Sequence, residues 1–191
     1  MDIEYEAAFF PIVKKDIRYR LKKAGATLIH PEYLQKRTAF HLPKGHEIAG
    51  GWVRVRQEAD KVTLSVKIVD GHTIENKREV CVEVGDFKRT EEILMALGCR
   101  KKAYQENKRE LWKMDNVEVT IDEWPYLEPF VEIEGPNAEA VQRAAEKIGF
   151  DWGKAIFHSV DYMYHLKYGV PQERVYDSTP RITFADPCPF G

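Results

Sequence analysis

Five stretches of this chain alternate apolar and polar residues with a period of two. In GGWVRVRQ, Val53 and Val55 face one way and Trp52, Arg54 and Arg56 the other. In VTLSVKIV, Leu64, Val66 and Ile68 oppose Thr63, Ser65 and Lys67. In NKREVCVEV, Val80, Val82 and Val84 oppose Glu79, Cys81 and Glu83; in VEVTID, Val117, Val119 and Ile121 oppose Glu118, Thr120 and Asp122. PFVEIEG sets Val131 and Ile133 against Phe130, Glu132 and Glu134. Successive side chains of a β-strand point to opposite faces, so each stretch predicts a strand with one dry and one polar face. The opening EYEAA keeps the same rhythm, with Glu4, Glu6 and Ala8 on one face. Helical spacing appears between the strands. Pro11 opens one such segment, with Val13, Ile17, Leu21 and Ala24 on one stripe and Gly25 as its stop. A second helix is predicted from Arg89 to Leu97, closed by Gly98. A third follows Gly135-Pro136, capped by Asn137 and ending near Gly149, and a fourth runs from Ala155 to Lys167 with Gly169 as its stop.

About eight strands can be counted before Gly169, with turn-like EADK and KMDN between neighbouring ones. One arrangement is an antiparallel sheet with helices on its dry face and water on the other. The sorting of charge favours a second. Carboxylates fall on the first, fifth, seventh and eighth strands, arginine and lysine on the third, fourth and sixth. A sheet closed on itself with its polar faces inward would turn that sorting into an acidic wall and a basic wall around a channel. The fold class expected is therefore α+β, a closed eight-stranded antiparallel β-barrel with a charged lumen and helices outside. Residues 1–169 would form this domain. The remaining VPQERVYDSTPRITFADPCPFG is proline-rich and aperiodic, and is expected to wrap the surface or lack fixed structure.

Composition narrows the partners. The 191 residues are 43% hydrophobic and 31% charged with a net charge of -2, so no global basic field invites nucleic acid or an anionic membrane. Runs such as AAFF are too short to span a bilayer, and the acidic N-terminus does not read as a secretory signal. Cys81, Cys99 and Cys188 are odd in number with no metal-like spacing, which suits a reducing, cytoplasmic setting. The six histidines, at positions 30, 41, 46, 72, 158 and 165, likewise show no ligand spacing, and Trp112, Trp124 and Phe130 read as core or barrel-mouth aromatics.

The opening ExE, the RVR and LSVK strands, KRELW, TID and EIE occur in that order, and as an ordered set they resemble the CYTH domain, the core of the triphosphate tunnel metalloenzymes. The resemblance runs from about Ile3 to Lys167. It implies an eight-stranded tunnel that binds a triphosphate (ATP, thiamine triphosphate or tripolyphosphate) with Mg2+ or Mn2+, as in class IV adenylyl cyclases and triphosphatases. It places Arg54, Arg56, Lys67 and Arg109 on the phosphates, where guanidinium forks suit phosphate oxygens. Lys108 would point away from Arg109's face. Glu132 and Glu134 are implied as metal ligands, with Asp122, Glu4, Glu6 and Glu79 completing the acidic wall; Glu4, Glu6, Lys67 and Arg109 would be the catalytic set. Hard divalent cations take such oxygen donors. Taken singly, the glutamates could instead be a solvated strand end, and Arg54 and Arg56 could pair with Glu58 or Glu83.

Ala8 departs from the family pattern, usually ExExK. Lys14 and Lys15 are close in sequence but fall on the predicted first helix. The gap leaves open a non-catalytic polyphosphate- or nucleotide-binding barrel, while the charged inner faces disfavour a carrier of hydrophobic ligands. Nucleic acid and membrane are not expected as partners, and monomer and homodimer are both open.

Overall fold

The computed structural model describes all 191 residues. In chain order they form β1 (Asp2–Ile3), β2 (Tyr5–Phe9), α1 (Lys14–Lys23), β3 (Thr27–His41), β4 (Gly51–Gln57), β5 (Val62–Val69), β6 (Lys77–Val84) and α2 (Phe87–Ala96). Then come β7 (Arg100–Met114), β8 (Val117–Glu123), β9 (Phe130–Gly135), α3 (Ala138–Ile148), α4 (Val160–Tyr168), α5 (Gln172–Tyr176) and β10 (Arg181–Ile182). Strand order is β1-β6-β5-β4-β3-β7-β8-β9-β2, every neighbouring pair antiparallel. β1 and β2 are one extended segment interrupted at Glu4. Its first part pairs with β6 and its second with β9, so this segment joins the two ends of the sheet into a barrel. Glu4 keeps the seam tied, its N–H donating to the Lys77 carbonyl at 2.9 Å. Counted around the ring there are eight strands, as the alternation predicts. The sheet as a whole has ten because the break at Glu4 divides one strand and β10 adds a short one parallel to β7.

Two helices dock on the outer face through their apolar stripes. α1 turns Ile17 and Leu21 inward, and α3 turns in Ala140, Val141, Ala144, Ala145 and Ile148. They meet Ala7, Phe9, Val119, Ile121, Val131 and Ile133, the outward residues of β2, β8 and β9. Each large aliphatic side chain buried there contributes roughly 1.5–3 kcal/mol. α3 is delimited as its sequence suggests: the Asn137 side chain accepts from the Ala140 N–H at 2.9 Å. Gly149 ends it at φ 89°, a left-handed geometry costly for any residue with a Cβ. α2, capped by Asp86, brings Leu94 over Phe40, Val53 and Val55. It lies over β4, β5 and β7, and Val80 and Val82 of β6 stay exposed at 47% and 53%.

A third cluster fills one end of the barrel. Ala8, Trp124 and Phe130 pack there against Met163 and Tyr164 of α4, Val175 of α5, Ile182 of β10 and Phe190. Residues 170–191 thus wrap the barrel and bury apolar side chains, tied by the Tyr126 hydroxyl to the Thr183 carbonyl at 2.9 Å and by Tyr104 N–H to the Pro180 carbonyl. Three helix starts differ from the expectation, α2 by opening two residues earlier at Phe87 behind Asp86. α1 begins at Lys14, after a turn containing Pro11, and α4 begins at Val160, because Ile156 is extended and exchanges both backbone hydrogen bonds with Ala8 at 2.9 Å. No helix is long and apolar enough to cross a membrane, and all three cysteines are free thiols.

Candidate functional site

The inward side chains of the strands surround a cavity of about 840 Å³. β4 places Arg54 and Arg56 on its inner face, β5 places Thr63 and Lys67, β6 places Lys77, Glu79 and Cys81, and β9 places Glu132 and Glu134. Without ligand, most of this charge is matched internally. Arg54 Nη2 donates to Glu79 Oε1 at 3.0 Å, and Arg56 Nη2 to Glu58 Oε1 at 2.8 Å. Lys67 Nζ lies 2.6 Å from Glu4 and 3.1 Å from Glu79, and Lys77 Nζ lies 2.6 Å from Glu6. Arg109 bridges Asp122 at 2.8 Å and Glu132 at 2.7 Å.

The register explains these pairs. Lys67 faces Glu79, Arg109 faces Asp122, and Glu6 faces Glu134 across adjacent strands. Directly opposed carboxylates are destabilising unless something neutralises them. One carboxylate oxygen each from Glu4, Glu6 and Glu134 lies within 4.8 Å of the other two. Burial pushes the Glu6 carboxyl up, but the Lys77 and Lys67 ammoniums more than offset it and hold it at about 2. Glu79 is likewise held at about 2 against burial by Lys67 and Arg54. Glu134 forms no ion pair; burial, then the charges of Glu4 and Glu6, raises it to about 7. The residue is nevertheless exposed to the open cavity, so water tempers that rise. Burial, followed by the Glu6 and Asp122 charges, raises Glu132 to about 8, since its one cation, Arg109, is shared with Asp122. Three converging oxygen donors with an unmet charge fit a hard divalent cation, so Glu4, Glu6 and Glu134 are the residues that could hold one.

The other expected residues divide by neighbourhood. Arg54, Arg56, Lys67, Arg109, Glu79 and Glu132 all line the cavity. Asp122 lies beneath it, fully buried, its two oxygens taken by Arg109, by Asn107 at 2.6 Å and by Thr120 at 2.8 Å. It fixes the guanidinium of Arg109. Lys108 points outward to Glu123, and Lys14 pairs with Glu32 and Glu123 outside the barrel. Ala8 is on the inner face, opposite Glu132, and is 1% exposed.

Two buried inward cations are not among the expected residues. Lys77, on the same face as Glu79, could have been found by extending the alternation of NKREV by two residues. Arg37 is the second; β3 carries polar residues on both faces (Lys36 and Thr38 outside, Gln35 and Arg37 inside), so no dry face marks its direction. α4 and α5 also contribute, with Asp161, Val175 and Tyr176 lining the cavity beside His158.

Fold and site together define a closed antiparallel barrel whose lumen sorts acids from bases. The sequence matches the CYTH domain over residues 2–161, and the chain belongs to that family. Among curated proteins none matches this sequence. The PH1012 protein of Pyrococcus horikoshii superposes with a TM-score of 0.70 at 21% identity, over 84% of this chain and 99% of that one. A candidate adenylate cyclase of Vibrio parahaemolyticus gives 0.71 at 12% identity, over 85% and 97%. A candidate adenylyl cyclase of Hippeastrum, described as having a dominant triphosphatase activity, gives 0.55 at 13% identity, over 91% and 99%. At these identities the likeness is one of fold.

Proposed function

We propose that this chain is a divalent-metal-dependent enzyme acting on a triphosphate in the barrel lumen, either hydrolysing it or cyclising a nucleoside triphosphate with release of pyrophosphate. The observation that carries the reading is the convergence of Glu4, Glu6 and Glu134 in a cavity also lined by Arg54, Arg56, Lys67, Lys77 and Arg109. A triphosphate loses its hydration on entering such a space and needs paired cations in return. Glu4, Glu6 and Glu134 would hold Mg2+ or Mn2+, which when bound neutralises charge on phosphate oxygens.

Within this reading, the chain's own residues exchange partners. Arg54, Arg56 and Lys67 would turn from Glu79, Glu58 and Glu4 towards phosphate oxygens, which frees Glu4 to act with Glu6 and Glu134 as an oxygen donor. Arg109 is held by Asp122 throughout, which keeps its fork oriented for the developing negative charge. In hydrolysis, water attacks phosphorus and a P–O–P bond breaks; in cyclisation, the ribose 3′-hydroxyl attacks the α-phosphorus and pyrophosphate leaves. The test is one series with Mg2+ or Mn2+ and, separately, ATP, thiamine triphosphate and tripolyphosphate, with phosphate, pyrophosphate and cyclic AMP quantified. Glu6→Gln combined with Glu134→Gln is expected to lower metal-dependent turnover by at least about 100-fold, as removal of a charge-stabilising device does. Full activity in that double variant excludes this metal site.

Ala8 favours a second reading, a barrel that binds triphosphates without turning them over, because the ammonium that ExExK would supply is missing from β2. Tight binding of tripolyphosphate by calorimetry, with no product in any of the incubations, would select it.

A further inference from the structure

Every buried cation on the lumen wall has a carboxylate partner except one. Arg37 is 9% exposed and lines the cavity, yet its guanidinium meets only neutral acceptors, Gln35 Oε1 at 2.6 Å and Asn107 Oδ1 at 2.5 Å. Its Nε–H is buried without a partner. The other face of the group rests on the Trp124 ring, 4.6 Å from the centroid. Its charged neighbours make matters worse: Arg54, Arg56 and Arg109 lie around it, and burial together with their charges pushes its pKa well down. A buried charge without an ion-pair partner costs several kcal/mol, and the one acid near enough to offset this one, Asp122, is already engaged by Arg109.

Arg54 adds a second orphan. One of its Nη groups holds Glu79, while its Nε–H is buried with no acceptor. Register puts the two arginines on adjoining strands, Arg37 opposite Arg56 and Arg54 opposite Ala39. β3 is also four places around the ring from the β1–β2 segment in either direction, so Arg37 stands across the lumen from the acidic triad.

We propose that Arg37, with the unused edge of Arg54, is an anion seat that receives a phosphoryl group of the ligand on the side of the lumen opposite the carboxylates. The inference rests on the triphosphate reading and deepens it. Unmet guanidinium donors next to a ring suit the oxygens of a phosphoryl group, which take two parallel N–H bonds from one fork. An oligophosphate then spans the lumen, one part at Glu4, Glu6 and Glu134 and another at Arg37. Chain length becomes a recognised property, since a shorter phosphate chain cannot reach both walls.

The experiment measures binding of tripolyphosphate and of pyrophosphate by calorimetry, in chelator and in Mg2+, together with melting temperature. Arg37→Met is expected to lose at least about tenfold in tripolyphosphate affinity, the worth of one charge-assisted contact, and less for pyrophosphate. Its ligand-free form should melt no lower than wild type, because an uncompensated charge has been removed, while the rise on adding tripolyphosphate shrinks. A purely structural Arg37 would give the opposite pair: a lower melting temperature and unchanged affinity. That result, or affinity within twofold of wild type, overturns the proposal. Should Arg37→Met fail to fold, Arg37→Lys replaces it; keeping charge but losing the fork, it must still weaken tripolyphosphate, and unchanged binding overturns the seat. Wild-type protein that binds neither phosphate, with or without Mg2+, removes the triphosphate reading itself, an outcome distinct from binding that ignores Arg37.

Discussion

Ala8 stands where a lysine would complete ExExK, and its side chain has no room to grow. It is 1% exposed, packed among Trp124, Phe130 and Met163, with Ile156 locked to its backbone. Lys77 puts an ammonium on the same inner surface from the neighbouring side of the seam, 2.6 Å from Glu6 and close enough to Glu132 to oppose its raised pKa. Restoring the motif is therefore expected to harm. Ala8→Lys should melt several degrees lower, since a buried cation is forced into an apolar cluster, and should not gain turnover. Lys77→Met should instead cut turnover or triphosphate affinity by at least about tenfold, in line with one lost charged contact. Melting curves and product assays on the two variants decide between them, and an Ala8→Lys protein of normal stability and higher activity would contradict this account. The residue types of the site are legible from alternation alone, including Glu4, Glu6, Arg54, Arg56 and Lys67. Their pairing is not, because which acid meets which base depends on register between strands distant in sequence, such as Lys67 with Glu4. Asp122 illustrates the difference: alternation points it inward, and only the contacts of Asn107, Thr120 and Arg109 show that its oxygens are already taken.

At the level of elements, helices with strong apolar stripes and caps are readable because their signals are local. Asn137 and Gly149 act within one turn of their own positions. The start of α4 is not, since the extended Ile156 answers to Ala8, almost the whole chain away. Residues 170–191 have no period to read, because they make few regular elements and owe their order to contacts with the barrel end. Ile182, in the short β10, is fully buried among Trp124, Tyr164 and their neighbours. Ile182→Ala should cost roughly 3 kcal/mol, within the usual range for emptying such a site. Urea unfolding measures this directly. A loss below about 0.5 kcal/mol, the level of an ordinary surface change, would mean that the tail is not part of the cooperative unit.

For the whole molecule, the lumen charges make stability depend on pH in two opposed ways. Glu132 and Glu134 have folded values raised from 4.5 to about 8 and about 7, so the stability linked to them is fully present below 4.5 and is lost as pH rises through those values. Glu6 and Glu79 are lowered from 4.5 to about 2; their contribution is present above 4.5 and is lost as pH falls towards 2. The ligand-free protein should therefore melt highest near about pH 5 and lose stability towards about pH 9, each tenfold difference in proton affinity between folded and unfolded chain being worth about 1.4 kcal/mol for Glu132 and less for Glu134, which water screens. Glu134→Gln should flatten that decline, and scanning calorimetry across the range tests it; an equal slope in both proteins would remove Glu134 as a source. The seam of the barrel has a different consequence, for folding. The segment Asp2–Phe9 closes the ring by pairing with β6 at one end and β9 at the other, strands synthesised long after it. Until β9 exists, Ala7 and Phe9 have no sheet to cover them, and the loop to be closed spans most of the chain. Such non-local closure is slow, so the nascent chain carries an unpaired, partly apolar strand through most of its synthesis and is most open to misassociation just before the ring shuts.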